Sequence, residues 1–423
     1  MGSEALCGYW NGLISRDDQC MQVANRDLIR VINRFNILNT IRVAKMISRV
    51  DIARSTGLSQ ATVTGISAEM IRDGIILEKK SGNSNVGRRP ILLSLNPEGA
   101  VVIGVKIAIH QISVVLIDFE ATVLNTHIVP LPRRMYTVEE IADLIVQAVQ
   151  ACLWDTKYHK DQISGIGIGI PGLVDSPSGL VKFLPNYRWR NANLQELVHH
   201  RLDLLTYVEN DANALAVAEQ WFGEGRGVDN FLLVSLEYGV GMGIVINGQL
   251  YRGQGGIGSE FGHTTVDGTG PECRCGKRGC IEAVAGENAL LREAGKLAER
   301  GEWVRNRTGE ISLEEIIEAA KNGHPGLTEI FSLAGKTLGI GIANLAGIFG
   351  PVKIFITGKC VTAEELLFDP MFETVDRNIS SNFDIKANIS IQKWTQLDWA
   401  RGAGAVVLQE LYKSPVHRIV PII

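Results

Sequence analysis

His263, Cys273, Cys275 and Cys280 form an H-x9-C-x-C-x4-C array inside the Gly-rich stretch GGIGSEFGHTTVDGTGPECRCGKRGC, and no other feature constrains the chain so tightly. Four soft N and S donors within eighteen residues suit one tetrahedral Zn²⁺. Because all four ligands come from the protein, such a site is structural rather than catalytic. The intervening glycines let the loop turn tightly enough to gather the donors. Incidental cysteines or a disulfide would leave the His and the single-residue gap unexplained. A metal on one imidazole nitrogen leaves the other to hydrogen-bond, so His263 becomes an oriented partner for a ligand.

The remaining cysteines, Cys7, Cys20, Cys152 and Cys360, are scattered and make no disulfide framework, which points to a reducing cytoplasm. A chain of 423 residues suggests two or three domains, and 45% hydrophobic residues can fill their cores. The first twenty residues lack a basic n-region and a continuous apolar run, so no signal peptide is expected. The most apolar stretch, Ala100 to Phe119, is interrupted by Lys106 and His110 and reads as two strands rather than a membrane span.

Charge is unevenly distributed. Between Met21 and Leu95 there are twelve Lys and Arg against five Asp and Glu, so the overall net charge of −4 leaves about −11 for the rest. A basic module on an acidic body suits a DNA-binding domain joined to a ligand-binding domain, although a solvated basic face gives the same count. Within it, Ile37 to Asp73 reads as three short helices: one through Ile37, Leu38, Ile41 and Met46, a second at Arg49 to Thr56, and a third at Gln60 to Arg72. Gly57-Leu58-Ser59 supplies the turn, an apolar plug and an N-cap, the parts of a helix-turn-helix. Ser59, Gln60, Thr62 and Thr64 are the candidate DNA contacts of the third helix. Two strands, from Ile75 to Lys80 and from Ile91 to Leu95, form a wing whose Gly87-Arg88-Arg89-Pro90 suits a narrow minor groove.

Further along, Glu209-Asn210-Asp211-Ala212-Asn213-Ala214, Glu260-Phe-Gly-His263 and the cysteine array running into Cys280-Ile-Glu282 together resemble the ROK family of sugar kinases and sugar-responsive repressors. The likeness runs from about Asp51 to the C-terminus, and Phe183 to Arg190 is similar to the xylose-operon repressors within that family. The resemblance implies an α/β chain with an N-terminal winged helix-turn-helix and a two-lobed actin-like, ribonuclease H-like sugar-kinase fold with a structural zinc loop. The expected divisions are a tail at 1–20, the winged helix and linker at 21–97, a first lobe at 98–215 completed by 401–423, and a second lobe at 216–400 carrying the zinc loop 260–282. Gly65 departs from the family, where a larger, often basic residue is expected in the recognition helix, and costs about 1 kcal/mol of helix stability relative to Ala.

By resemblance Asn210, Asp211, Glu260, His263 and Glu282 contact a monosaccharide, with Gly172 and Asn186 beside them. Carboxylates and amides suit a polyhydroxylated ring because they accept from or donate to its hydroxyls. Gly172 is expected to let a ligand approach the backbone. Taken alone, Asn210-Asp211-Ala212 can equally cap the helix that follows. Where the family's kinases hold ATP, Gly104-Val-Lys106-Ile-Ala108-Ile109-His110 stands in place of Asp-x-Gly-Gly-Thr, Glu237-Tyr238-Gly239 in place of Gly-Thr-Gly, and Thr357-Gly358-Lys359-Cys360 in place of a glycine run. Backbone N–H groups reach phosphates only where side chains are absent, and Glu237 would repel them, so no ATP use is expected.

The expectation is a sugar-responsive repressor with operator DNA, a monosaccharide such as xylose or glucose, and further copies of itself, as homodimer or homotetramer, for partners. An active ATP-dependent sugar kinase with a DNA-binding appendage is the alternative reading, and a repressor controlled by a partner protein is a third.

Overall fold

The computed structural model describes residues 18–80, 91–305, 308–379 and 388–412. The chain divides into two compact units, 1–100 with 409–423, and 101–408.

The first unit runs α1 (Asp18–Ala44), β1 (Ile47–Ser48), α2 (Arg49–Thr56), α3 (Gln60–Arg72), β2 (Ile76–Lys80) and β3 (Ile91–Leu95). α1 begins inside the segment expected to be a tail and stops short of Met46. No Gly or Pro interrupts it, and it ends where Lys45 turns to φ +63°. Gly57 at φ +70° makes the turn between α2 and α3, and Ser59 caps α3 by accepting from Thr62 N at 3.1 Å. Ile37, Ile41, Ile52, Val63, Met70 and Leu93 are fully buried in its core. β2 and β3 pair antiparallel from Ile76 opposite Leu95 to Lys80 opposite Ile91, and β1, which the sequence did not suggest, joins the free side of β3. The wing tip with Arg88 and Arg89 lies outside the described residues. Part of the positive charge is spent internally: Arg30 pairs with Glu69, Arg34 with Asp73, Arg49 with Glu78 and Arg54 with Asp51.

The second unit repeats one topology. Its first half runs β4 (Val101–Ile107), β5 (Gln111–Ile117), β6 (Val123–Pro130), α4 (Val138–Trp154), β7 (Ile163–Ile170), a small sheet of β8 (Leu173–Asp175), β9 (Leu180–Leu184) and β10 (Trp189–Ala192), then α5 (Leu194–Leu202), β11 (Thr206–Asn210) and α6 (Asp211–Phe222). The second half runs β12 (Phe231–Leu236), β13 (Val240–Ile246), β14 (Gln249–Tyr251), α7 (Glu282–Ala285), α8 (Glu287–Glu299), α9 (Leu313–Lys321), α10 (Pro325–Phe349), β15 (Lys353–Thr357), α11 (Glu365–Asn378), β16 (Ile389–Ile391) and α12 (Gln396–Leu411). The sheet orders are β11-β7-β4-β5-β6 and β14-β13-β12-β15-β16. Taken from β6 in the first sheet and from β14 in the second, two antiparallel pairings are followed by two parallel ones, so both halves are built alike. The apolar stretch 100–119 forms β4 and β5, and its strands are buried because helices cover them.

Close helix–sheet contact depends on glycine. A Cβ on Gly104 would lie 1.9 Å from the Ala400 carbonyl oxygen and one on Gly167 1.8 Å from that of Ala403, so α12 rests directly on β4 and β7. The buried run of α12 ends at Leu408, and the part of the expected completion beyond residue 412 lies outside the described residues. The expected lobe boundary at 215/216 falls inside the continuous helix α6, whose Ala212 and Ala216 meet Gly243 of the second sheet. α10 is long and apolar enough to cross a membrane, but Leu327, Phe331, Leu338 and Ile342 are fully buried and make it a core helix.

Candidate functional site

Between β14 and α7 the chain folds back on itself through isolated bridges, Thr265 with Cys280 and Glu272 with Arg278. Gly279, at φ +66°, makes this possible, since a Cβ there would lie 1.5 Å from the Asp267 carbonyl oxygen. The result gathers the ligand atoms of His263, Cys273, Cys275 and Cys280 within 4.8 Å of one another. Cys273 Sγ lies 3.5 Å from His263 Nδ1 and Cys275 Sγ 3.7 Å from Cys280 Sγ. The edge of a tetrahedron with metal–sulfur bonds of about 2.3 Å is about 3.8 Å, so the cluster can hold a metal ion.

With Nδ1 on the sulfur side, His263 turns Nε2 toward two carboxylates, 3.9 Å from Glu260 Oε2 and 4.0 Å from Glu282 Oε1. These gaps exceed a direct hydrogen bond, so Nε2 is not bonded to either carboxylate. Burial raises the Glu260 carboxyl above its ordinary value, against the opposing pull of His263. Glu282 is already engaged: Arg274 donates from Nε to Oε1 at 2.5 Å and from Nη2 to Oε2 at 3.1 Å, and Val240 N donates to Oε2 at 3.1 Å.

The first lobe contributes the turn from β11 into α6. Asn210 is the N-cap of α6: its Oδ1 accepts from Asn213 N at 3.1 Å, while its Nδ2 donates to the Gly172 carbonyl at 3.0 Å. The capping role left open by the sequence is therefore real. The Asp211 carboxylate accepts from Ala212 N at 2.9 Å and from the Lys106 ammonium. Lys106 is buried and sits 4.6 Å over the Trp399 ring.

Two expected contacts are placed differently. A Cβ on Gly172 would lie 2.6 Å from the Phe183 carbonyl oxygen, so the missing side chain admits β9 rather than a ligand. Asn186 lies half-buried in the turn 185–187 between β9 and β10, and no hydrogen bond joins it to Asp211 or the metal loop among the described residues. In the N-terminal unit, Gln60 and Thr64 are exposed on α3, whereas Ser59 and Thr62 bond each other through their hydroxyls at 2.8 Å.

Sequence reasoning missed the two cations that face this site. Lys106 stood out only as an oddity of its loop, and Arg274 only as a spacer between cysteines. Glu237 follows β12 and accepts from Lys359 N at 3.1 Å, while Lys359 Nζ reaches Glu287 at 2.6 Å. Burial pushes the Glu237 carboxyl up to about 7, with Lys106 opposing the rise and Glu287 and Asp211 adding to it.

Comparison with known proteins agrees with this architecture. The ROK family pattern matches residues 102–410. The chain is 32% identical to the xylose repressor of Caldicellulosiruptor bescii over 401 residues, 93% of this chain and all of the relative. It is 29% identical to the N-acetylglucosamine repressor of Escherichia coli over 387 residues, 92% and 94% of the two chains. Among solved structures, a ROK family transcriptional regulator matches with a TM-score of 0.76 and 26% identity, over 91% of this chain and 97% of that one. A ROK family glucokinase from Streptomyces griseus, in complex with glucose and AMPPNP, matches with a TM-score of 0.64 and 32% identity over 73% and 99%. With the duplicated sheets, the His–Cys cluster and the Asn210-Asp211 turn, the match over residues 102–410 establishes that the chain belongs to the ROK family.

Proposed function

We propose that the protein is a cytoplasmic, sugar-responsive transcriptional repressor that binds a monosaccharide, xylose or glucose first, without phosphorylating it. The observation that carries this reading is the pairing of Asp211 with buried Lys106. In the family's kinases the carboxylate at this position is the base that takes the sugar's proton. Here an ammonium already bonds one of its oxygens, so it is held as an ion-paired hydrogen-bond acceptor.

The nucleotide side supports the same conclusion. Glu237 and Lys359 bond each other where a phosphate would need bare backbone, and the Glu237 side chain adds negative charge as it ionises. On the DNA side, α3 with its capped N-terminus and the β2–β3 wing form a reader for an operator, and the names of the relatives, xylose repressor and N-acetylglucosamine repressor, favour that role. Zn²⁺ suits the three sulfurs and one imidazole, which would lock His263 with Nε2 toward the sugar. Two copies in a symmetric dimer, or four in a tetramer, would meet a pseudo-palindromic site. For sugar to induce, it must bind the DNA-incompetent state more tightly, by about 1–3 kcal/mol in typical couplings.

The glucokinase likeness favours one competing reading, an active kinase carrying a DNA-binding appendage. Calorimetric titration with xylose, glucose and N-acetylglucosamine, beside a coupled assay for ADP, separates the two. The repressor reading expects binding of one sugar and no sugar-dependent ADP. ADP release that Asp211→Ala abolishes would establish the kinase instead.

A further inference from the structure

We infer that Arg274 is a sugar-contacting, specificity-determining residue acting beside Glu282; this rests on the reading of the site as a sugar site. A carboxylate has about four lone-pair positions, and three of those on Glu282 are filled by Arg274 Nε, Arg274 Nη2 and Val240 N. Little acceptor capacity remains for a sugar hydroxyl, and the negative charge is neutralised by a guanidinium at hydrogen-bond distance. The side chain of Glu282 is 8% exposed whereas that of Arg274 is 40% exposed, so the cation and not the carboxylate presents the accessible surface. Arg274 Nη1 makes no hydrogen bond among the described residues, which leaves donors on its outer edge.

Position adds to the case. Arg274 lies between Cys273 and Cys275, so the metal cluster holds its backbone, and Glu282 holds its head in one orientation. The same Glu282 Oε1 that it bonds lies 4.0 Å from His263 Nε2, which in turn faces Glu260. A fixed planar fork beside an imidazole and a carboxylate recognises a hydroxyl or carbonyl oxygen on a sugar ring by donating to it, while Glu260 accepts from a neighbouring hydroxyl.

The test titrates xylose, glucose and their monodeoxy derivatives into the full-length wild type, Arg274→Ala and Arg274→Gln, with metal content measured for each. Both variants are expected to keep their metal and to bind the parent sugar about tenfold or more weakly. One deoxy derivative should bind the wild type worse than its parent does, yet equal its parent in Arg274→Ala, because the hydroxyl's partner is gone. Parent affinity unchanged in metal-replete Arg274→Ala overturns the inference, as does a loss identical for the parent and every deoxy derivative. Failure of the wild type to bind any of these sugars or N-acetylglucosamine would overturn the sugar-site reading itself, a distinct result.

Discussion

Arg252 Nε donates to Glu209 Oε2 at 2.7 Å and so ties the segment after β14, in the second sheet, to the end of β11 in the first. The Glu209 side chain is only 2% exposed, and its other oxygen accepts from Ser176 Oγ at 2.8 Å, Asn210 N at 2.9 Å and Asn213 Nδ2 at 3.0 Å. One buried carboxylate therefore fixes the turn that presents Asn210 and Asp211. Removing its cation strands a charge whose desolvation is no longer compensated. Arg252→Met is expected to destabilise the protein by about 3–5 kcal/mol, read from urea denaturation, and Glu209→Gln by less. A cost below 1 kcal/mol for Arg252→Met would show that the pair does not brace the lobes.

Glu237 predicts a pH dependence. Its carboxyl rises from an ordinary 4.5 to about 7 through burial, in a setting that also contains Lys106, Glu287, Lys359 and Asp211. A carboxyl raised on folding contributes stability that is complete below its unfolded value and is lost as pH climbs through its folded one. Glu237→Gln should therefore match the wild type below about pH 4.5 and exceed it above about pH 7, by up to about 3 kcal/mol. Denaturation midpoints at pH 5 and pH 8 check the sign. On the proposed reading Glu237→Gly alone should not create phosphoryl transfer, because Lys106, Ala108 and Ile109 carry side chains at the other expected phosphate loop; sugar-dependent ADP release by that variant checks it.

The cluster of His263 and the three cysteines predicts one Zn²⁺ per chain by elemental analysis. Cys273→Ser and Cys280→Ser should lose both metal and sugar binding, since Glu260, His263 and Glu282 are held by that loop. Sugar binding that survives in a metal-free variant would separate the metal from the pocket.

For the DNA-binding unit, Gln60→Ala and Thr64→Ala should weaken operator binding, because both residues are exposed on α3, and should leave sugar affinity unchanged. Gly65→Ala should raise the melting temperature, corresponding to about 1 kcal/mol of helix stability, since a Cβ there meets nothing within 4 Å. Gel-shift titration and thermal unfolding provide the two readings, and undiminished operator affinity in both α3 variants would refute the assigned contact face.

Local chemistry made much of this protein legible before its fold was known. The His–Cys array, the Gly57-Leu58-Ser59 turn and the strand runs around Gly104 and Gly167 depend on residues close in sequence, whose spacing and conformational limits act in any context. The extension of α1 back to Asp18 is less visible in the sequence, because its early residues lack a clear apolar stripe. Pairings between distant segments were not written in any local pattern. The sequence marked Lys106 as a departure from a phosphate loop but not its pairing with Asp211, it singled out nothing at Arg274, which bonds Glu282, and it took Gly172 as a ligand approach where β9 fills the space. An ionic or steric partner 8 to 105 residues away is chosen by which strands and loops the fold brings together. Residue types alone therefore nominated the side chains of the candidate site, while the tertiary structure decided which of their charges are paired with one another.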